Sequence, residues 1–198
     1  MAARLGSITH DARRPSARDP APVTSDWDPS IFILHEPQVA FDVRAAGAAG
    51  YAGEFGYIAI DSEGTRLEEV ASTSNIVRRT RSRFNRDSTS SLGKLPEERI
   101  GIREIIKAVD DGDEFARLML ERTGTYVGTA IANVINLLNI ETIVVGGEIT
   151  EAEHVVIDAI NARARELSFS RSFEKTRIVS GTVGENAAAI GSALLARV

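Results

Sequence analysis

The sequence has no cysteine and only three histidines among its 198 residues. Disulfide bonds, thiolate nucleophiles and cysteine-ligated zinc are therefore excluded, and the expected location is the cytoplasm. No apolar run approaches the roughly 20 residues that a membrane-spanning helix needs, so no membrane partner is expected. The arginines near the N-terminus are not followed by an apolar stretch, which argues against a secretory signal.

The chain also lacks an excess of positive charge. Lys and Arg together number 23 and Asp and Glu 28, which gives a formal net charge of −5. That balance provides no chain-wide attraction to nucleic acid. One segment is locally basic, and we interpret it as a solvated helix face rather than a set of phosphate contacts. Its members are Arg78, Arg79, Arg81, Arg83 and Arg86.

The order of apolar and polar segments predicts one α/β domain at 31–198, preceded by a mobile arm at 1–30 that is rich in Arg, Asp, Ser and Pro. Strands and helices alternate, which is typical of helices packed on a sheet. The predicted strands are 31–34, 38–43, 57–60, 142–145 and 177–179. The predicted helices are 67–84 with a break near 72–74, 102–109, 114–138, 150–167 and 187–197.

The longest predicted helix, 114–138, is apolar on nearly all faces in its second half. Such a helix must be buried on both sides. Either the core of the domain is large or a second subunit covers one face, and we expect a homodimer formed through residues 126–138. Asp110, Asp111 and Asp113 precede this helix, and we interpret them as helix caps rather than a cation loop.

Three segments in fixed order resemble the ROK family of repressors and sugar kinases, over residues 45–198. The resemblance implies an α/β fold, the C-terminal lobe of the actin-like ATPase (ribonuclease H-like) fold, with the N-terminal lobe largely missing. It also implies subunit contact through this half of the protein. The matching segments are AAGYAGEFGY at 48–57, LEEVAS at 67–72, and the stretch 124–147 that ends in IETIVVGG, followed by VGENAAAIGSALLA at 183–196.

The resemblance assigns a possible sugar site to three residues. Glu54 and Glu68 match the glutamates that accept hydrogen bonds from sugar hydroxyls in the family, and Tyr57 replaces a histidine that touches sugar and ligates zinc. An ionised carboxylate suits this role because it only accepts and can take two hydroxyls at once. A structural interpretation stays open, in which Glu54 caps a turn and Glu68 favours the first turn of a helix.

The resemblance also implies losses. The family's zinc loop carries cysteines between the first two motifs, whereas residues 58–66 contain neither Cys nor His, so no zinc is expected. The Asn-Asp pair that supplies the catalytic base is absent, and residues 35–38 replace a glycine-rich phosphate loop. ATP, magnesium and a catalytic residue are therefore not expected. Gly146 and Gly147 lie where the family holds the nucleotide, although a simple strand-to-helix turn also explains them.

These features predict a non-catalytic protein. It would be the body of a NagC/XylR-type transcriptional regulator that senses a sugar or amino sugar and dimerises. Direct DNA binding is not expected, because the chain carries no DNA-binding domain of its own. Two alternatives stay open: an ATP-dependent, glucokinase-like sugar kinase completed by a missing lobe, and a folded relic that binds no ligand.

Overall fold

The computed structural model describes residues 55–84 and 89–181, and the backbone of residues 31–35 and 38–40. The predicted arm at 1–30 and the predicted closing helix at 187–197 lie outside this part. No helix within the described ranges is long and apolar enough to cross a membrane.

A four-stranded sheet forms one layer of the molecule, in the order β2-β1-β3-β4. Strands β1, β3 and β4 are parallel, and β2 is antiparallel to β1. The register places Leu34 beside Val145 and Val145 beside Ser180, so the carboxyl ends of the three parallel strands meet at one edge. The strands are β1 (Ile31–His35), β2 (Gln38–Ala40), β3 (Thr142–Val145) and β4 (Arg177–Ser180).

Six helices are found in the described ranges, and 3-10 turns join them. The predicted bounds of the longest helix and the predicted break near residue 72 are confirmed. The predicted helix at 150–167 begins later, at Glu153, because a 3-10 turn precedes it. The helices are α1 (Glu68–Ala71), α2 (Thr73–Phe84), α3 (Ile102–Asp110), α4 (Glu114–Leu138), α5 (Glu153–Leu167) and α6 (Ser170–Phe173). The 3-10 turns are Phe55–Tyr57, Ser91–Lys94, Glu97–Arg99 and Glu148–Ala152.

The predicted strand at 57–60 is wrong. Phe55–Tyr57 forms a 3-10 turn, and the following residues make a single bridge in which Ala59 pairs with Arg66. The turn that begins at Asp61 sends the chain back at once, with Gly64 at a φ of 83°. Too little chain remains before this turn to build a ladder of strand pairs.

Helices α4 and α5 pack with their backbones unusually close. A Cβ atom on Gly124 would lie 2.7 Å from the carbonyl oxygen of Val156, and one on Gly128 would lie 2.7 Å from that of Ile160. Only glycine permits this approach at two positions one turn apart. Arg163 on α5 adds a hydrogen bond from its Nε to Thr129 Oγ1 at 3.1 Å.

The packing of α4 shows how much of its apolar surface the chain covers without a second subunit. Six apolar residues in its second half are buried within this one chain: Val127, Ala130, Ile131, Ala132, Val134 and Ile135. Burial of these residues therefore needs no second subunit, and the large core is the alternative that holds for them. At the end of the helix the situation differs, because Leu137 is 82% exposed and Leu138 is 44% exposed.

Asp113 caps α4, as predicted. Its Oδ1 accepts a hydrogen bond from the amide of Ala116 at 3.0 Å, and its Oδ2 accepts from the amide and hydroxyl of Ser91 and the hydroxyl of Ser90. Asp110 and Asp111 do not share this role, because Asp110 ends α3 and Asp111 follows it in solvent. The prediction that all three cap the helix is therefore wrong for these two.

The interpretation of the basic segment as a solvated face is also wrong in part. Arg79 is buried between α2 and α4, where its Nη2 donates to Thr123 Oγ1 at 2.7 Å. Burial lowers the pKa of its guanidinium. Arg81 donates to the carbonyl oxygens of Ile100 and Glu98. Arg78 is exposed, as interpreted, Arg83 is half-buried, and Arg86 lies outside the described residues.

Candidate functional site

The carboxyl ends of the parallel strands form the first candidate site. Strand β3 ends at Val145 and is followed by Gly146 and Gly147, the latter with a φ of 105°. The amide of Gly181, just beyond β4, donates to the carbonyl oxygen of Val145 at 2.7 Å. Open α/β sheets bind ligands at this edge. The structure therefore places both glycines where a ligand could bind and also where the chain turns towards α5.

Side chains at this edge hold the turn after β3 in place. Thr150 donates from its amide and its hydroxyl to the carbonyl oxygen of Gly147, at 3.1 and 2.7 Å. Glu148 lies 3.6 Å from the guanidinium of Arg103 on α3. These contacts account for the shape of the turn without a ligand, so the structural interpretation of the glycine pair stays open.

The connection after β1 differs from a phosphate-binding loop. His35 pairs with Gln38 in the antiparallel register of β1 and β2, so only Glu36 and Pro37 separate the strands. A glycine-rich loop that surrounds a phosphate needs several successive backbone amides. Two residues, one of them a proline without an amide hydrogen, do not supply them.

The second candidate site joins the two motifs expected to bind sugar. Phe55 is buried, and the turn that it begins lies against α1. A Cβ atom on Gly56 would lie 3.2 Å from Cβ of Glu68 and 3.4 Å from its Oε2. The carboxylate of Glu68 therefore rests beside the backbone of the first motif. A side chain at position 56 would press on it.

The position of Glu68 is fixed through its main chain. Asn75 on α2 donates from Nδ2 to the carbonyl oxygen of Glu68 and to Ser72 Oγ, both at 2.8 Å. These bonds hold α1 and α2 together across the break at Ser72. Glu68 is half-buried, and none of the described residues donates a hydrogen bond to its carboxylate. Within the described part of the chain, only the contact with Gly56 limits the approach of a hydroxyl donor to this carboxylate.

The other two residues predicted to contact sugar are Tyr57 and Glu54. Tyr57 is 56% exposed, and its ring lies under the guanidinium of Arg66, 4.2 Å from the centroid. A guanidinium over an aromatic ring is a favourable cation–π contact. Glu54 lies outside the described residues. The structure thus brings together Gly56 and Glu68, and it places Tyr57 against the segment that connects them.

That connecting segment does not fit a zinc ion. Residues 58–66 offer no thiolate or imidazole, the ligands that hold zinc in structural sites. Across the described ranges, His, Asp and Glu form no group of three or more that could hold a metal ion. In this segment Asp61 Oδ1 instead accepts hydrogen bonds from the amides of Glu63 and Thr65, at 3.0 and 2.9 Å.

Sequence reasoning missed Asn75 and the side-chain hydrogen bonds of Asp61. Asp61 had a local signal, because an aspartate three residues before a glycine is typical of a turn closed by its side chain. Asn75 had no such signal. A polar residue in the first turn of a helix usually faces solvent, and here the break at Ser72 lets the side-chain amide reach the carbonyl oxygen of Glu68 on α1.

Comparisons with known proteins agree on one family. A family model described as the ROK family matches residues 41–198. The chain is 34% identical over 124 residues to the DNA-binding transcriptional dual regulator NagC of Escherichia coli, a match that covers 59% of this chain and 30% of NagC. It is 29% identical over 163 residues to a glucokinase of Halalkalibacterium halodurans, covering 76% of this chain and 49% of the glucokinase.

A solved structure gives the same assignment. The crystal structure of a ROK family transcriptional regulator, a homolog of the E. coli Mlc protein, superposes with a TM-score of 0.72 at 31% identity. The match covers 84% of this chain and 45% of the other. The chain thus spans about half or less of the length of these three proteins, which include both regulators and a kinase.

Proposed function

This chain belongs to the ROK family, and on that premise we propose that it is the sugar-binding body of a NagC-like regulator. In this proposal it holds a sugar or amino sugar and does not phosphorylate it. The fold agrees with that role, since it is mixed α/β and is shared with a ROK regulator of actin-like ATPase fold.

The carboxylate of Glu68 is the observation that carries the proposal. It is half-buried, lies against Gly56, and receives no hydrogen bond from the described residues. A ligand that donates a hydrogen bond to this carboxylate would form a charge-assisted hydrogen bond, which is stronger than a neutral one. Sugar hydroxyls are such donors. The glutamate of the first motif, Glu54, is proposed as the second acceptor.

The sequence supports binding without phosphoryl transfer. Phosphoryl transfer depends on positioning and on neutralisation of phosphate charge. These 198 residues contain no Asn-Asp pair, and the connection between β1 and β2 has two residues and no glycine. A general base must lie within hydrogen-bond reach of the proton that it removes, and the Asn-Asp pair that supplies this base in the family does not occur in these residues.

A kinase is the second candidate function, and one observation favours it. Gly146 and Gly147 follow β3 at the edge where α/β sheets bind ligands, and the chain is similar to a glucokinase over 163 residues. In this alternative the remaining catalytic groups would come from another polypeptide. Gly146 and Gly147 would then contact a nucleotide.

Calorimetric titration with glucose, N-acetylglucosamine and N-acetylmannosamine tests sugar binding. We expect heat with at least one of them, and an affinity about 10-fold to 100-fold weaker in the variant Glu68→Gln, which loses a charge-assisted hydrogen bond. Glu63→Gln is the matched control, because Glu63 is exposed in the turn that begins at Asp61. Its affinity should stay within about twofold of the original.

Two results would overturn the proposal. If none of the three sugars gives heat, the chain is a folded relic with no sugar ligand. If the purified chain consumes ATP in a coupled assay with any of these sugars, it is a kinase. An unchanged sugar affinity in Glu68→Gln would show that Glu68 does not accept a hydrogen bond from the sugar.

A further inference from the structure

A short hairpin connects the two halves of the candidate sugar site. Its arms are joined by hydrogen bonds from the amide of Leu67 to the carbonyl oxygen of Ile58, at 3.0 Å, and from the amide of Ile60 to that of Thr65, at 2.9 Å. It begins two residues after Gly56 and ends one residue before Glu68. The closure of this hairpin therefore sets how the two motifs meet.

Asp61 closes the tip of the hairpin. Its Oδ1 accepts the amides of Glu63 and Thr65, and Gly64 completes the turn at a φ of 83°. A hydrogen bond from the side chain of Thr65 is the main cause that lowers the pKa of Asp61, and the amide of Thr65 adds to it. The carboxylate is therefore charged at neutral pH and acts as the acceptor around which the tip is built.

The base of the hairpin is fastened on both sides. Arg66 donates its amide to Glu69 Oε2 at 3.1 Å, and its guanidinium covers the ring of Tyr57. Phe55 and Leu67 are both buried in the core, one before and one after the hairpin. The hairpin thus has an ordered tip, an ordered base and two apolar anchors.

We propose that this hairpin performs the positioning that a bound metal would otherwise provide, and that Asp61 is the positioning residue for Glu68. The family resemblance implies a zinc loop in this stretch, and residues 58–66 do not fit one. What they contain is a self-closing turn whose acceptor is a side chain. The orientation of Glu68 towards sugar rests on the proposed function, whereas closure of the hairpin without metal does not.

Amide hydrogen exchange of the whole chain tests the closure. The amides of Glu63 and Thr65 should exchange on the order of tenfold faster in Asp61→Ala, which removes their acceptor, and at nearly the original rate in Asp61→Asn, which keeps an oxygen there. EDTA or added zinc should change neither rate in the original protein. Unchanged exchange in Asp61→Ala, or faster exchange of the original protein in EDTA, would overturn the proposal.

Titration with the sugar that binds tests the positioning. Affinity should fall by about threefold to tenfold in Asp61→Ala and recover in Asp61→Asn. The control is Ser62→Ala, at an exposed position of the same turn, which should bind as the original does. Faster exchange in Asp61→Ala with unchanged sugar affinity would overturn the positioning role. If the original protein binds no sugar, the proposed function fails, and the exchange rates still decide whether the hairpin closes without metal.

Discussion

Asp113 serves two segments at once, because one carboxylate oxygen caps α4 and the other accepts three hydrogen bonds from Ser90 and Ser91. Burial is the largest single influence on its pKa and raises it. The hydrogen bonds, led by that from the Ser91 hydroxyl, together outweigh burial, so the pKa of Asp113 lies below its usual value. The ionised form is therefore the one that the fold stabilises.

A depressed pKa in the folded state makes stability depend on pH in a defined direction. The contribution of Asp113 is present above the pKa of an aspartate in the unfolded chain, about 3.9, and is lost as the pH falls through the lower folded value. Asp113→Ala should therefore lower the free energy of unfolding by about 1–3 kcal/mol at pH 7. The difference in the free energy of unfolding between this variant and the original protein should narrow as the pH falls below about 4.

Urea unfolding at several pH values measures this difference. Asp111→Ala is the control, because the side chain of Asp111 is exposed and does not cap α4, and it should change stability by less than about 0.5 kcal/mol. A difference between Asp113→Ala and the original protein that stays constant from pH 7 to pH 3 would show that the charge of Asp113 does not matter.

Residue-level prediction succeeded where the partner is local. The cap of α4 could be predicted because Asp113 and the amide of Ala116 are three residues apart. The buried Arg79 could not, since its partner Thr123 is 44 residues away and the local pattern shows only a run of arginines. An arginine is usually solvated, and only packing of α2 on α4 reverses that expectation.

At the level of elements, α4 was the most predictable. Its start has a capping aspartate, and its end has Asn139 in the left-handed conformation, at a φ of 51°. Apolar spacing between these signals predicts a helix. The strand predicted at 57–60 failed because a strand exists only with a partner, and the backbone there pairs in a single bridge, between Ala59 and Arg66.

The close packing of α4 on α5 leads to a prediction about Gly128. In Gly128→Ala the new Cβ would lie 2.7 Å from a backbone oxygen of α5, which cannot move aside as a side chain can. We expect a loss of about 1–3 kcal/mol from overpacking, although alanine favours a helix by nearly 1 kcal/mol over glycine. Thermal unfolding measures the change in Tm.

Gly93 offers the matched control for this substitution. A Cβ atom added there meets nothing within 4 Å, so Gly93→Ala should leave the Tm unchanged or raise it slightly. If Gly128→Ala unfolds at the same temperature as the original protein, the helices are free to separate, and the glycine is not required for their packing.

At the scale of the whole molecule, exposed apolar residues gather at one end. We define the apolar patch as Leu137, Leu138, Leu167 and Phe169, which are 40–82% exposed. Asn136 joins the two segments that carry them, since its Nδ2 donates to the carbonyl oxygen of Leu167 and its Oδ1 accepts the amide of Phe169. Grouped apolar exposure of this kind is typical of a protein–protein contact.

The predicted homodimer is therefore expected to form through the apolar patch, at the end of the predicted interval 126–138. The double variant Leu137→Lys, Phe169→Lys should sediment as a 21.3 kDa monomer at a concentration at which the original protein has twice that mass. A lysine ammonium buried in such a contact loses its hydration, and this desolvation free energy exceeds the stabilisation from the apolar contact. Leu118→Lys, at a half-exposed site near the other end of α4, should keep the dimer.

If the original protein sediments as a monomer at micromolar concentration, the prediction of a homodimer is wrong. A double variant that stays dimeric would show that another surface makes the contact. The sequence predicted an apolar helix in need of cover, but not which of its residues the chain covers by itself. That distinction depends on α5, which begins 15 residues after α4 ends.

The hairpin closed by Asp61 has a consequence for the conditions under which the protein keeps its shape. A loop built on thiolates and zinc opens when peroxide oxidises its sulfur atoms or when the cell runs short of the metal. Residues 58–66 have no sulfur to oxidise and no thiolate or imidazole to hold zinc. Order in this stretch is therefore expected to persist under oxidants and zinc starvation, because the oxygen that closes the turn belongs to the side chain of Asp61.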